Sequence, residues 1–231
     1  MYYDTTIILL IPAMIFAMAA QGMVKSAFNR YSKVANSRNM TGAQAARQML
    51  DANGLRDVEI LQTKGSLTDN YNPRKRTLNL SQTVYGVNSI SAVSVACHEA
   101  GHAIQHAKHY APLTIRNTIV PVVNIGSALT WPLVIVGILL LSSGSFVEGN
   151  LIFNIGVFTF LGVILFHLIT LPVEFNASRR AVDQMEELAI ILPEEKGGAK
   201  KVLRAAAMTY VAALAVAVAN LLRILAIRGR N

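Results

Sequence analysis

The sequence predicts a mainly α, polytopic membrane protein with about four transmembrane helices and a small cytoplasmic α+β unit. Three observations predict it. Of 231 residues, 53% are hydrophobic and only 15% charged, where a soluble domain usually carries about 25% charged residues; the mean hydropathy is +0.42. The charges are missing from four long stretches, each close to the roughly 20 apolar residues that a membrane-spanning helix requires. The basic residues are also asymmetric: twelve Lys and Arg lie in 25–117, six in 173–206 and none in 142–149. Lys and Arg collect on the cytoplasmic side of membrane proteins, so 25–117 and 173–204 are expected in the cytoplasm and 142–149 outside. Four spans would consume roughly 80 residues and leave roughly 150, room for one small domain, so 1–231 reads as a single domain.

Composition excludes several classes. Cys97 is the one cysteine, so no intrachain disulfide can form and nothing argues for an oxidising compartment. The net charge of +8 invites a nucleic-acid reading, but the basic residues are spread over loops and form no stripe interleaved with aromatics. Disorder does not fit so apolar a chain.

The first apolar segment, about 2–24, has Asp4 upstream and Lys25, Arg30, Lys33 and Arg38 downstream. A secretory signal peptide has the opposite polarity, so an uncleaved anchor with its N-terminus outside is expected, although Ala17-Met18-Ala19 resembles a cleavage site. The second and third segments, about 119–141 and 151–171, are joined by a Ser/Gly-rich loop. Pro132 falls mid-span and is expected to kink its helix. The fourth, about 205–227, is rich in Ala and Val and carries Arg223; a membrane-surface or re-entrant helix is the alternative there.

Between the spans, Thr41-Gly42-Ala43-Gln44 matches a capping box for a helix that Asn53-Gly54 ends. Val58–Thr63 and Thr77–Ser81 read as strands separated by a turn-rich run from Gly65 to Pro73. A helix is expected from Asn88 or Ser89 to about His109, halted by Pro112.

That helix contains His98-Glu99-Ala100-Gly101-His102. Positions 98 and 102 lie one above the other on one helix face, so two imidazoles can donate to a single Zn²⁺. Glu99 is rotated about a quarter-turn away, where a general base for a zinc-activated water belongs. A metzincin would have Gly at 105 and His at 108; this chain has Gln105 and Lys108, so neither His106 nor His109 supplies a third ligand in that pattern. A catalytic zinc takes three protein ligands and keeps a fourth position open. Asp183, Glu186 and Glu187 read as a solvated face, and Glu194 and Glu195 fall in a Pro/Gly loop. Glu174, a lone carboxylate just past the third apolar segment, is the candidate third ligand, which would make the site gluzincin-like. His167, inside that segment, competes with it.

The stretch His98 to His106 (HEAGHAIQH), with Leu78-Asn79-Leu80-Ser81 and Val84-Tyr85 before it and Glu174 to Ala181 (EFNASRRA) after, resembles the YugP-type bacterial neutral zinc metallopeptidases of the membrane. The resemblance covers nearly the whole chain and extends more distantly to the HtpX-type membrane proteases. It implies a zincin-like unit with one zinc per chain held by His98, His102 and Glu174, and Glu99 as the base. Family members often read Asp-x-Tyr-Asp-Pro and Glu-Phe-Asp-Ala-Ser where this chain has Asp69-Asn70-Tyr71-Asn72-Pro73 and Asn176, and the HtpX group has Asp where Ser178 stands.

The expected function is thus a membrane-embedded zinc endopeptidase of the bacterial inner (plasma) membrane, with its active site on the cytoplasmic side. Its partners would be a peptide or membrane-protein substrate and the lipid bilayer, with no nucleic acid. Tyr71, His106 and Arg179 are open candidates for stabilising the oxyanion, and Thr77–Ser81 for an edge strand that pairs with extended substrate. The alternative is a non-catalytic membrane scaffold or regulator with a structural zinc site; the presence of Glu99 favours the enzyme. A transporter is disfavoured because, apart from Asp4 at the outer flank of the first, no predicted span holds Asp or Glu.

Overall fold

The structure, a computed structural model, describes residues 5–228. Asp4, invoked above for the polarity of the first segment, and Arg230 lie outside the described residues. A short 3₁₀ segment, Thr5–Leu10, leads into α1 (Ile11–Tyr31). α2 (Gly42–Ala52), β1 (Glu59–Thr63), β2 (Asn70–Asn72), β3 (Thr77–Ser81) and α3 (Ile90–Ala107) follow, then the long helices α4 (Ala111–Ser142), α5 (Phe146–Glu187) and α6 (Lys196–Arg228). The protein is mainly helical, with the polytopic architecture the sequence predicts: four helices, Thr6–Tyr31, α4, α5 and α6, are long and apolar enough to cross a membrane.

The chain divides into two compact units, residues 1–19, 115–171 and 210–231 in one and 20–114 and 172–209 in the other. The first unit holds the apolar stretches of the long helices. Its helices pack closely where side chains are smallest: a Cβ on Gly137 would stand 2.7 Å from the Phe153 nitrogen, and Val134, Phe153 and Ile224 form a buried cluster. α4 runs through both Pro121 and Pro132 without ending.

The second unit is the α+β part. The Thr41 hydroxyl accepts from Gln44 N–H at 3.3 Å and the Gln44 side chain accepts from Thr41 N–H at 2.9 Å, completing the capping box of α2. Asn53 caps its far end and Gly54 follows at φ 74°, a left-handed conformation that glycine adopts without steric cost. α2, α3 and the inner faces of the sheet bury a shared core that includes Met49, Leu50, Leu78, Leu80 and Ile104.

The two predicted strands do not form a hairpin. β1 pairs with β3 in parallel, Glu59 opposite Thr77, and β2 pairs with β3 antiparallel, Tyr71 opposite Leu78, giving the order β1-β3-β2. β3 is therefore central and unavailable as an edge; the edges are β1 and β2. β2 lies in the stretch read as turn alone, and it is held there by Asp69, whose carboxylate accepts from the Ser81 N–H at 2.7 Å and hydroxyl at 3.0 Å.

Two further expectations, on Pro112 and Glu195, are corrected. α5 continues past the apolar stretch, through Pro172, for 42 residues in all, because Val173, Ala177, Ala181 and Met185 recur every fourth residue on a buried face. Pro112 stands in the first turn of α4 rather than serving as a stop; α3 ends at Ala107 with Lys108 as its cap, and His109 turns the chain at φ 49°. Glu195 is not a loose loop acid: it is buried, and its carboxylate accepts from Ser37 N–H, the Ser37 hydroxyl and Leu192 N–H at 2.7–3.0 Å.

Candidate metal centre

α3 starts at Ser89, whose hydroxyl accepts from Ala92 N–H at 3.1 Å, the N-cap arrangement that satisfies an otherwise unpaired donor. From Ser91 to Cys97 it carries only Ser, Ala, Val and Cys, so neighbouring elements can approach closely. Gly101, between the two motif histidines, is a point of close approach. A Cβ there would stand 2.9 Å from the Ala177 carbonyl oxygen of α5, closer than real Cβ contacts allow, so glycine is required. This approach sets Glu174, nearly one turn before Ala177 on α5, against His98 and His102 on α3.

Glu174 Oε2 lies 3.2 Å from His98 Nε2 and 3.6 Å from His102 Nε2. The two imidazoles meet edge to face, centroids 4.8 Å apart, and one donor atom from each of the three residues falls within 4.8 Å of the others. Glu174 is 3% exposed. An ionised carboxylate buried to this degree requires a counter-charge.

The hydrogen bonds around His102 decide which of its nitrogens faces the carboxylate. Arg180 donates from Nε to Asn176 Oδ1 at 2.7 Å; because Arg has donors alone, that Asn176 atom is the oxygen. Gln105 Nε2 donates to the same oxygen at 3.0 Å and to the Val173 carbonyl at 2.8 Å. The Gln105 atom 3.0 Å from His102 Nδ1 is therefore Oε1, which can only accept. In the neutral ring, His102 thus carries its proton on Nδ1 and presents the Nε2 lone pair to Glu174. His98 has its Nδ1 3.1 Å from the Ser178 hydroxyl, which can accept from it, and its Nε2 at Glu174; with the proton on Nδ1, its Nε2 lone pair faces the carboxylate as well.

Two lone-pair nitrogens and a carboxylate facing one another are a donor set for a cation. Ligands of a tetrahedral zinc at about 2.0–2.1 Å stand about 3.3–3.4 Å apart, and the observed 3.2 and 3.6 Å bracket that spacing. The three residues fit a zinc ion, with histidine and carboxylate the donor types it takes.

Glu99 is half-buried beside this cluster and is not one of its three members. Burial chiefly pushes its carboxyl up to about 7, with the charges of Glu174 and Asp69 adding to the rise and His98 and the Tyr71 backbone N–H opposing it. A carboxyl near neutrality can both take and return a proton at working pH.

His106, one turn beyond His102, bonds the Tyr71 hydroxyl through Nδ1 at 2.9 Å. Arg179 is exposed. His167 belongs to the other unit, with its ring edge-to-face against Phe166, and is not part of the cluster. Asp183, Glu186 and Glu187 are exposed as expected, with Lys196 paired to Glu186.

Sequence reasoning missed Gln105, Asn176 and Arg180. Gln105 is fully buried and ties His102 to the turn of α5 that carries Glu174. Gln105→Ala is expected to weaken zinc binding about 10–100-fold, the usual effect of removing a group that orients a ligating histidine. Competition for zinc against a chelating dye measures it, and an unchanged affinity would show that Gln105 does not orient the ring.

Over residues 6–229 the chain matches the family described as "Putative neutral zinc metallopeptidase". The chain belongs to this family. Among its relatives is the Bacillus subtilis (strain 168) protein named "Putative membrane protease YugP", 48% identical over 217 residues, which span 94% of this chain and 93% of that protein. No solved structure matches the chain. Four long apolar helices and this relative make the chain a multi-pass membrane protein.

Proposed function

We propose that this metallopeptidase-family chain is a zinc-dependent endopeptidase of gluzincin type, one domain over 1–231, in which His98, His102 and Glu174 hold a single zinc and Glu99 is the general base. The observation that carries the reading is the convergence of the three donors on one point with Glu99 beside them. Three protein donors rather than four leave a position open, which favours catalysis over the structural site of a scaffold.

Bound there, zinc supplies Lewis acidity, bringing the pKa of a water down to about 7 and polarising a carbonyl. The chain's own residues do the rest. Glu99 accepts a proton from the attacking water and returns it to the amine that leaves. Gln105 and Ser178 keep the two imidazoles aimed. β2, the edge strand whose Tyr71 N–H lies at Glu99, replaces Thr77–Ser81 as the strand able to pair with an extended substrate.

Glu174 follows Leu171 by three residues, a helical rise of about 4.5 Å. A zinc held by it would sit near the end of the third apolar segment, so the natural substrates are membrane proteins or their juxtamembrane stretches. The basic residues of 25–117 and 173–204 support the cytoplasmic side of the bacterial inner membrane. Cysteines introduced at Ser145 and Lys196 test this: Ser145→Cys is expected to react with an impermeant reagent from outside and Lys196→Cys to react only after lysis. External labelling at 196 would reverse the orientation.

The peptidase reading is tested on the purified full chain in detergent. Cleavage of β-casein is expected to stop on zinc removal with 1,10-phenanthroline and to return with added zinc. Cleavage that survives chelation would contradict it.

A further inference from the structure

Tyr71 bridges two levels of α3. Its backbone N–H lies at the Glu99 carboxylate and its hydroxyl is 2.9 Å from His106 Nδ1. Glu99 and His106 are seven positions apart, almost in line on one helix face and separated by a rise of about 10.5 Å. Side chains on a helix lean towards its N-terminus, so the His106 ring reaches back towards His102. A tyrosine that begins beside Glu99 and ends on that ring lies along the helix and passes the level of His102. The pair is not sealed in the core, since Tyr71 and His106 are both half-buried, and Tyr71 stands on the edge strand β2 rather than on the central one.

Resting on the peptidase reading above, we infer that Tyr71 is a catalytic residue: its hydroxyl, oriented by His106, donates a hydrogen bond to the scissile carbonyl oxygen as that oxygen gains negative charge. When the water oxygen bonds to the carbonyl carbon, the C=O π pair moves onto the oxygen, and the Tyr71 O–H stabilises that charge without giving up its proton. When the C–N bond breaks, the pair returns to re-form the carbonyl and the amine leaves with the proton supplied by Glu99. His106 is a positioning residue. With its proton on Nδ1 it donates to the Tyr71 oxygen and leaves the hydroxyl hydrogen free for substrate. Burial keeps Tyr71 above the usual phenol range and keeps His106 neutral, aided at His106 by the charges of Arg76 and His109, so both stay in the state this role needs.

The test compares Tyr71→Phe with the parent as zinc-loaded full chains in detergent. With β-casein as probe, kcat is expected to fall about 10²–10³-fold, the cost of removing one oxyanion donor. KM should stay within about threefold, since the interaction is made in the transition state and not with bound substrate. Zinc per chain should be unchanged. N-phosphoryl-Leu-Phe, whose tetrahedral phosphoryl oxygens mimic the charged oxygen, should bind more weakly by a factor similar to the loss in kcat/KM, while acetyl-Leu-Phe should bind as before. His106→Ala should lose part of kcat and His106→Asn, which returns a polar group near the Nδ1 position, should recover most of it. The assignment is overturned if Tyr71→Phe turns over within twofold of the parent, or if the two dipeptides weaken equally. Phosphoryl-dipeptide binding needs no turnover, so it judges Tyr71 by itself. A parent that does not cleave β-casein counts against the peptidase reading, whereas a cleaving parent matched by Tyr71→Phe counts against this inference alone.

Discussion

Glu99→Gln is expected to retain one zinc per chain and to lose turnover by about 10²–10⁴-fold, the range that a general acid–base group contributes. The substitution keeps the side chain's size and an acceptor for the Tyr71 N–H, so the junction of β2 with α3 should survive. What it removes is the ability to take a proton. Glu99 is not among the three clustered donors, so the metal should stay. Zinc analysis and β-casein cleavage measured on the same preparation separate the two effects. Turnover equal to the parent's would take the role of base away from Glu99, whereas a parent that itself cleaves nothing would leave a membrane scaffold with a zinc site.

The second large effect concerns the third ligand. His98→Ala, His102→Ala and Glu174→Ala are each expected to lose tightly bound zinc, because each removes one of three protein donors. His167→Ala is the informative companion. His167 lies in the span with its ring against Phe166, and its loss should leave zinc at the parent level. Glu174→Ala should also leave the His98 and His102 Nε2 atoms facing one another without their shared carboxylate. The comparison is made by zinc content after dialysis, with thermal unfolding as the check that each variant is folded. A full site in Glu174→Ala with an empty one in His167→Ala would move the metal into the membrane and give the third position to His167.

The parts of this fold that were legible in the sequence are those whose signals are local. Thr41 and Gln44, Asn53 and Gly54, and Ser89 mark helix ends through contacts within four residues, and the structure ends α2 and starts α3 at those positions. Thr77–Ser81 was legible because the alternation Leu78, Leu80 places both leucines on one buried face. The sheet order was not, since it depends on partners 18 positions apart between β1 and β3 and 5 to 9 apart between β2 and β3, and a strand of three residues is too short to show a period. The spacing of His98 and His102 announced itself, and Glu174 stood out as an isolated carboxylate. The network behind His102 could not be seen, because Gln105 reaches Val173 and Asn176, 68 and 71 residues later. The one local hint was Gly101, a helix-interior glycine inside the motif. Such a residue costs helix stability unless another backbone must come close, and here Ala177 does.

X-ray absorption at the zinc edge of the purified parent reports whether this chain holds one zinc through two imidazoles and one carboxylate. The expected result is one zinc per chain, four-coordinate, with two imidazole nitrogens at about 2.0–2.1 Å, carboxylate oxygen at about 2.0–2.2 Å and no sulfur ligand. Protein that takes up no zinc, or zinc with sulfur at about 2.3 Å, which Cys97 alone could supply, would contradict it.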